Sequence, residues 1–143
     1  MSLRADKLAR PLLVVYGVLL AWALLWPTST VQNDLVVRLV QLVNQLHPPA
    51  GLVTYARGEV VMNAVIIIPA SFLGSLVFPR VTWQAWTAYG FLAAVAVELF
   101  QGLVLSGRHA AYSDVVANTA GILIGAVLYL AIRPMLRHRR HAG

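Results

Sequence analysis

Glu98–Gly121 reads ELFQGLVLSGRHAAYSDVVANTAG. Apolar sequence flanks this stretch on both sides, yet it carries a carboxylate, a glutamine, an arginine, a second carboxylate and an asparagine. The flanks decide the fold. Trp83–Leu105 and Ser113–Ile132 are each mostly apolar. Each has about the 20 residues that a helix needs to cross a bilayer. The stretch is a helical hairpin in lipid, with SGRHAAY at its turn.

Working outward, two further runs have spanning length. Leu8–Trp26 ends at Pro27, and Val60–Phe78 is closed by Pro79-Arg80. The last span, Ser113–Ile132, is closed by Arg133-Pro134. The composition agrees: 59% of the 143 residues are hydrophobic and 11% charged. Soluble domains average about 25% charged residues. The expected fold is an all-α integral membrane protein: four transmembrane helices and one amphipathic interfacial helix, in a single membrane domain over residues 1–143. RADKLAR followed by an apolar run imitates a signal peptide. Its small-x-small site, Ala21-Trp22-Ala23, sits inside the apolar run, so a retained first span is expected. No cysteine is present, which excludes disulfides and thiolate chemistry.

The segment after the first span, about 31–46, is too polar to cross. Leu35, Leu39, Leu42 and Leu46 recur at helical spacing. Asp34, Arg38, Gln41 and Gln45 fall on another face. This pattern predicts a helix lying flat in the interface until Pro48-Pro49 stops it. Packing beneath a long loop is the alternative use.

Basic residues set the orientation. Arg4, Lys7, Arg10, Arg80, Arg133, Arg137, Arg139 and Arg140 share one side of a four-span chain, against Arg38, Arg57 and Arg108 on the other. Both termini are thus expected in the cytoplasm, with the amphipathic helix and the SGRHAAY turn outside. Basic residues clustered beside apolar spans are a membrane footprint, so nucleic acid is not an expected partner despite the +6 net charge. Trp26, Tyr55 and Tyr112 suit an outer aromatic belt, and Trp83 and Trp86 an inner one. The basic tail, 133–143, reads as a solvated end.

Three of the spans carry polar residues at their outer ends. Glu98 and Gln101 share a face of the third, and Asp114 and Asn118 a face of the fourth. Glu59 and Asn63 do the same in the second. Arg108 hangs from the turn, with His109 beside it and Arg57 near the second span's mouth. A charge at mid-helix costs about 2.5–3.5 kcal/mol on insertion scales, and intramembrane ionisable residues mark function by default. Glu59, Asn63, Glu98, Gln101, Arg108, Asp114 and Asn118 are therefore the candidate ligand-binding set. Interhelical hydrogen bonding alone is the plainer use, at about 0.6 kcal/mol each. Gly121 and Gly125 form a small-xxx-small stripe for close helix approach, within the bundle or in a homo-oligomer. Pro69 leaves the Val65 carbonyl without its helical donor and bends the second span.

No nucleotide loop, serine elbow or zinc helix is present, so no cofactor or metal is expected. The leading expectation is a binding pocket for a membrane lipid or lipid-linked envelope ligand. A membrane enzyme acting on a lipid-linked phosphate is the alternative, with Glu98, Arg108 and Asp114 as its catalytic candidates. A structural or assembly subunit is the third.

The ordered set Asn63, Pro69, Glu98, Gln101, Arg108, Asp114, Asn118, Gly121 and Gly125 resembles the VanZ-like membrane proteins over about Glu59–Ala131. Where that family usually has Pro-Leu-Gly, this chain reads Pro69-Ala70-Ser71, with Gly74 later. The resemblance implies a small multi-pass protein of the bacterial cytoplasmic membrane. It also implies a link to resistance against teicoplanin, a lipid-tailed glycopeptide antibiotic.

Overall fold

In the computed structural model the backbone is described for residues 3–25, 30–49, 51–105 and 111–141, and side chains within 8–136 of these, except residues 30–32. Five helices follow one another: α1 Leu3–Leu25, α2 Thr30–Asn44, α3 Tyr55–Val77, α4 Trp83–Val104 and α5 Tyr112–His141. No strand occurs among the described residues. Four helices contain windows long and apolar enough to cross a membrane: Leu8–Leu25, Tyr55–Val77, Trp83–Val104 and Tyr112–Leu136.

The caps explain where the helices begin. Thr54 Oγ1 accepts from Arg57 N at 3.3 Å, and Thr82 Oγ1 accepts from Ala85 N at 3.2 Å. Each satisfies a first-turn N–H that has no intrahelical acceptor. The Thr54 cap starts α3 at Tyr55, five residues before the apolar run that marks it in the sequence. At the other end, α5 passes through Pro134 and continues to His141. The expected stop at Arg133-Pro134 is therefore corrected. A proline removes one backbone hydrogen bond from a helix interior. Here that loss falls in the last turns of the spanning window, which ends at Leu136.

The interior is unlike that of a soluble domain. Its buried residues are mostly small or polar: Ser71, Gly74 and Ser75 on α3, Ala94 on α4, Ala117, Gly121 and Ala126 on α5. The large apolar side chains, among them Leu12, Leu19, Leu92 and Leu103, face outward. Lipid tails are as apolar as leucine, so nothing drives leucines between helices. Small residues gather there because they let backbones approach.

α3 and α5 pack together at the centre; α4 lies against α5, and α1 and α2 against α3. A Cβ on Gly121 would overlap the Ala64 carbonyl oxygen, and one on Gly125 would overlap Ser71 Oγ and the Ile68 carbonyl oxygen. Of the two uses read for this stripe, α3 of the same chain fills the first. A homo-oligomer would have to form through another face.

α2 divides its two apolar faces. Val36 is buried, and Val36 and Val40 rest on Gly58 at the start of α3. Leu35, Leu42 and Leu46 are exposed, available to lipid. α2 thus packs on the bundle through valines and leaves its leucines exposed. His47, with a left-handed φ of 52°, ends this segment ahead of Pro48-Pro49.

Two further contacts tie α1 to the bundle. The Tyr16 hydroxyl donates to the Ile66 carbonyl, one residue beyond the carbonyl that Pro69 orphans. Gln101 Nε2 donates to the Leu24 carbonyl at 2.6 Å. Leu24 lies in the last turn of α1, where carbonyls have no intrahelical donor.

Candidate functional site

Helix register determines which polar residues meet. α3 and α5 run in the same direction, because α4 returns between them. Gly121 abuts Ala64 and Ile67, and Gly125 abuts Ile68 and Ser71. The same offset carried back one turn puts Asn118 level with Asn63. Another turn back puts Asp114 level with Glu59, and these two are near enough to interact electrostatically. α4 runs against α5, with Gly90 against Ile122. Two turns farther along α4, Glu98 comes level with Asp114.

One hydrogen bond confirms this level. Glu98 Oε2 accepts from the backbone N–H of Ala111 at 2.9 Å. The Ala111 carbonyl in turn accepts from Asp114 N at 3.0 Å and opens α5. Glu98 therefore holds the entry to α5, and its carboxyl lies at the positive end of that helix dipole. A carboxylate in an apolar span is tolerable on these terms, since a charge-assisted hydrogen bond and a helix N-terminus offset part of its desolvation.

The candidates thus form two layers. Glu59 and Asp114 are half-buried at the mouth. Beneath or beside them lie Asn63, Glu98, Gln101 and Asn118, each no more than 6% exposed. Gln101 is committed to Leu24 and belongs to the scaffold. Asn118 is equally buried, at 5% exposed, one turn below Asp114 on α5.

Not every residue near this end joins the site. Arg57 Nη1 donates to the Gly51 and Leu52 carbonyls, both at 2.9 Å, and so closes the α2–α3 loop. Arg108 and His109 lie outside the described residues, as does Trp26. Tyr55 and Tyr112 are exposed, as belt residues should be. Trp83 is also exposed, but Trp86 turns inward over Gly74 with its indole N–H buried. Trp86 is thus a packing residue and not part of a belt. Among the described residues no group of three or more His, Asp or Glu could hold a metal ion.

Sequence reasoning missed Tyr16, and it missed what Gln101 bonds to. A tyrosine in the middle of a span was the available signal, since a buried hydroxyl needs an acceptor.

No curated protein and no solved structure matches the chain. The VanZ/LLP1 family model matches residues 13–133, which takes in all of α2, α3 and α4 and most of α1 and α5. A model spanning most of the chain, together with four apolar spans, makes this a membrane protein of the VanZ/LLP1 family.

Proposed function

We propose that the α2 end of the bundle is an outward-facing binding site for an envelope amphiphile. Its ligand class is a lipid headgroup, a lipid-linked cell-wall precursor or a lipid-tailed glycopeptide such as teicoplanin. The observation that carries this reading is the meeting of two interacting carboxylates, Glu59 and Asp114, one turn above the buried amides of Asn63 and Asn118. Buried amides and a pair of carboxylates suit the hydroxyl, amide and amine groups of such a headgroup. The outward direction rests on the excess of arginine and lysine at the opposite end and at both termini. That excess would also keep both termini in the cytoplasm.

α2 supplies the cover. Its Val36 and Val40 rest on Gly58, next to Glu59, so the helix borders the mouth. Its exposed leucines would keep it in the interface, where an amphiphile arrives with its tail already in lipid. Arg108, between α4 and α5 in the sequence, is the expected partner for a phosphate or carboxylate on the ligand.

Glu98 favours binding over acid–base catalysis. Its Oε2 is already engaged by the Ala111 N–H, a contact that fixes the turn. The family's link to teicoplanin resistance agrees with a site for lipid-tailed ligands at the outer leaflet.

Native mass spectrometry of the purified protein with undecaprenyl phosphate, a lipid-linked disaccharide precursor and teicoplanin tests the proposal. At least one should bind. Asp114→Asn and Arg108→Ala should each lower its affinity about tenfold, as expected for losing one charge-assisted hydrogen bond, without loss of helicity. Equal binding of all three ligands by both variants and the native chain would refute a site here.

A further inference from the structure

The opposite end of the bundle holds a cavity that the binding site above does not use. Its volume is about 420 Å³, and it is half open. The α3–α4 turn lines it with Arg80, the start of α4 with Trp83 and Gln84, and α5 with Tyr129, Leu130 and Arg133. Two guanidinium groups from separate elements thus face one cavity. The first N–H groups of α4 also open here. Thr82 takes Ala85 N, which leaves the Trp83 and Gln84 N–H groups without an intrahelical acceptor. Free first-turn donors of this kind suit an anion, and the helix dipole has the same sign.

The chain itself offers that anion little. Its five acidic residues are Asp6, Asp34, Glu59, Glu98 and Asp114. The last four all lie on α2 or near the α2 end of the spans, on the far side of the bundle. Among the described residues, no acidic side chain lines the cavity. A cationic cavity without a carboxylate of its own calls for a counter-anion from outside.

The walls indicate its source. Tyr129 is buried, Leu130 is exposed, and both lie on α5 within its spanning window. Trp83 is 41% exposed at the first position of α4, a level where indoles favour the membrane interface. The cavity therefore has a polar mouth toward water and an apolar wall leading into the bilayer. We propose that it binds the phosphate of an anionic phospholipid, with Arg80 and Arg133 on the phosphate oxygens and an acyl chain along Leu130. Arginine suits this role because its planar fork can meet two phosphate oxygens at once. The proposal is independent of what binds at the α2 end.

The test is native mass spectrometry of the delipidated full chain in detergent. The probes are dioleoylphosphatidylglycerol, dioleoylphosphatidylcholine and inorganic phosphate. Phosphatidylglycerol should bind at least tenfold tighter than phosphatidylcholine, and inorganic phosphate should not displace it. Arg80→Gln combined with Arg133→Gln should weaken phosphatidylglycerol binding by about thirtyfold, and each single change by about fivefold. Arg38→Gln, an exposed arginine on the other side, should change nothing. The single variants decide the matter if the double variant does not fold. Equal affinity for the two lipids, or undiminished phosphatidylglycerol binding in folded Arg80→Gln and Arg133→Gln, overturns the proposal. Displacement by inorganic phosphate at the lipid's own concentration overturns the lipid as source and assigns the cavity to free phosphate.

Discussion

α1 and α5 are almost equally apolar, with window hydropathies of 2.0 and 2.1. Yet 6% of the α1 window is buried within the protein, against 39% of the α5 window. Hydropathy therefore identifies a span without saying where it sits. The difference lies in the kind of residue. α1 presents Leu8, Leu12, Val14, Val15, Val18 and Leu19 outward, and lipid solvates these as well as protein would. α5 carries Ala117, Asn118, Gly121, Gly125 and Ala126 on its buried face, and this small, polar stripe is what other helices can approach. The helix with the less oily face is the core.

This contrast can be broken most forcefully at Gly125. A side chain there would displace Ser71 Oγ and the Ile68 carbonyl, and one of the two is backbone. Gly125→Leu should destabilise by about 3 kcal/mol or more, the upper end of overpacking costs. Thermal unfolding in detergent should show a large fall or no folded protein at all. A native melting curve would mean that α3 and α5 are not in contact as described.

Glu98→Ala should rank next. It orphans the Ala111 N–H at the start of α5, at about 1–3 kcal/mol. Glu98→Gln keeps an acceptor oxygen and should recover most of that loss. Amide exchange at Ala111 separates the two, with faster exchange expected in the alanine variant alone. Identical exchange in both would remove the capping role assigned to Glu98.

Gln101→Leu sharpens the comparison from the α1 side. α1 has few polar ties to the bundle, and Gln101 Nε2 to the Leu24 carbonyl is one of them. Interhelical hydrogen bonds in membranes average about 0.6 kcal/mol, with a maximum near 1.7. The variant should lose stability in that range and loosen the end of α1, seen as faster proteolysis after Leu25. Smallest of all is Leu19→Ala on the lipid face of α1, expected within about 0.5 kcal/mol of native. A cost of several kcal/mol there would mean that a partner, and not lipid, covers α1.

The sequence made the four spans legible because the length of an apolar run is a property of one segment. It also showed that Glu98, Gln101, Asn118 and Asn63 avoid lipid, because each stands within an apolar run and shares a helix face with another polar residue. What it could not show depended on two segments at once. The pairing of Gln101 with Leu24, and of Tyr16 with Ile66, follows from how α1 lies against its neighbours. The assignment of Gly121 and Gly125 to α3 is of the same kind. α3 starts early because one threonine accepts one N–H, a local event that hydropathy averages away. Trp86 looked like a belt residue by position, but the space above Gly74 draws it inward.

The chain's lack of cysteine gives its central arrangement a direct test. Asn63→Cys with Asn118→Cys places two thiols at the level where α3 and α5 meet, and Asn63→Cys with Leu103→Cys pairs a buried position with a lipid-facing one. In native membranes, a short bifunctional thiol reagent should join the first pair within one chain and leave the second unjoined. Joining of the second pair and not the first would contradict the convergence of α3, α4 and α5 on a shared polar layer.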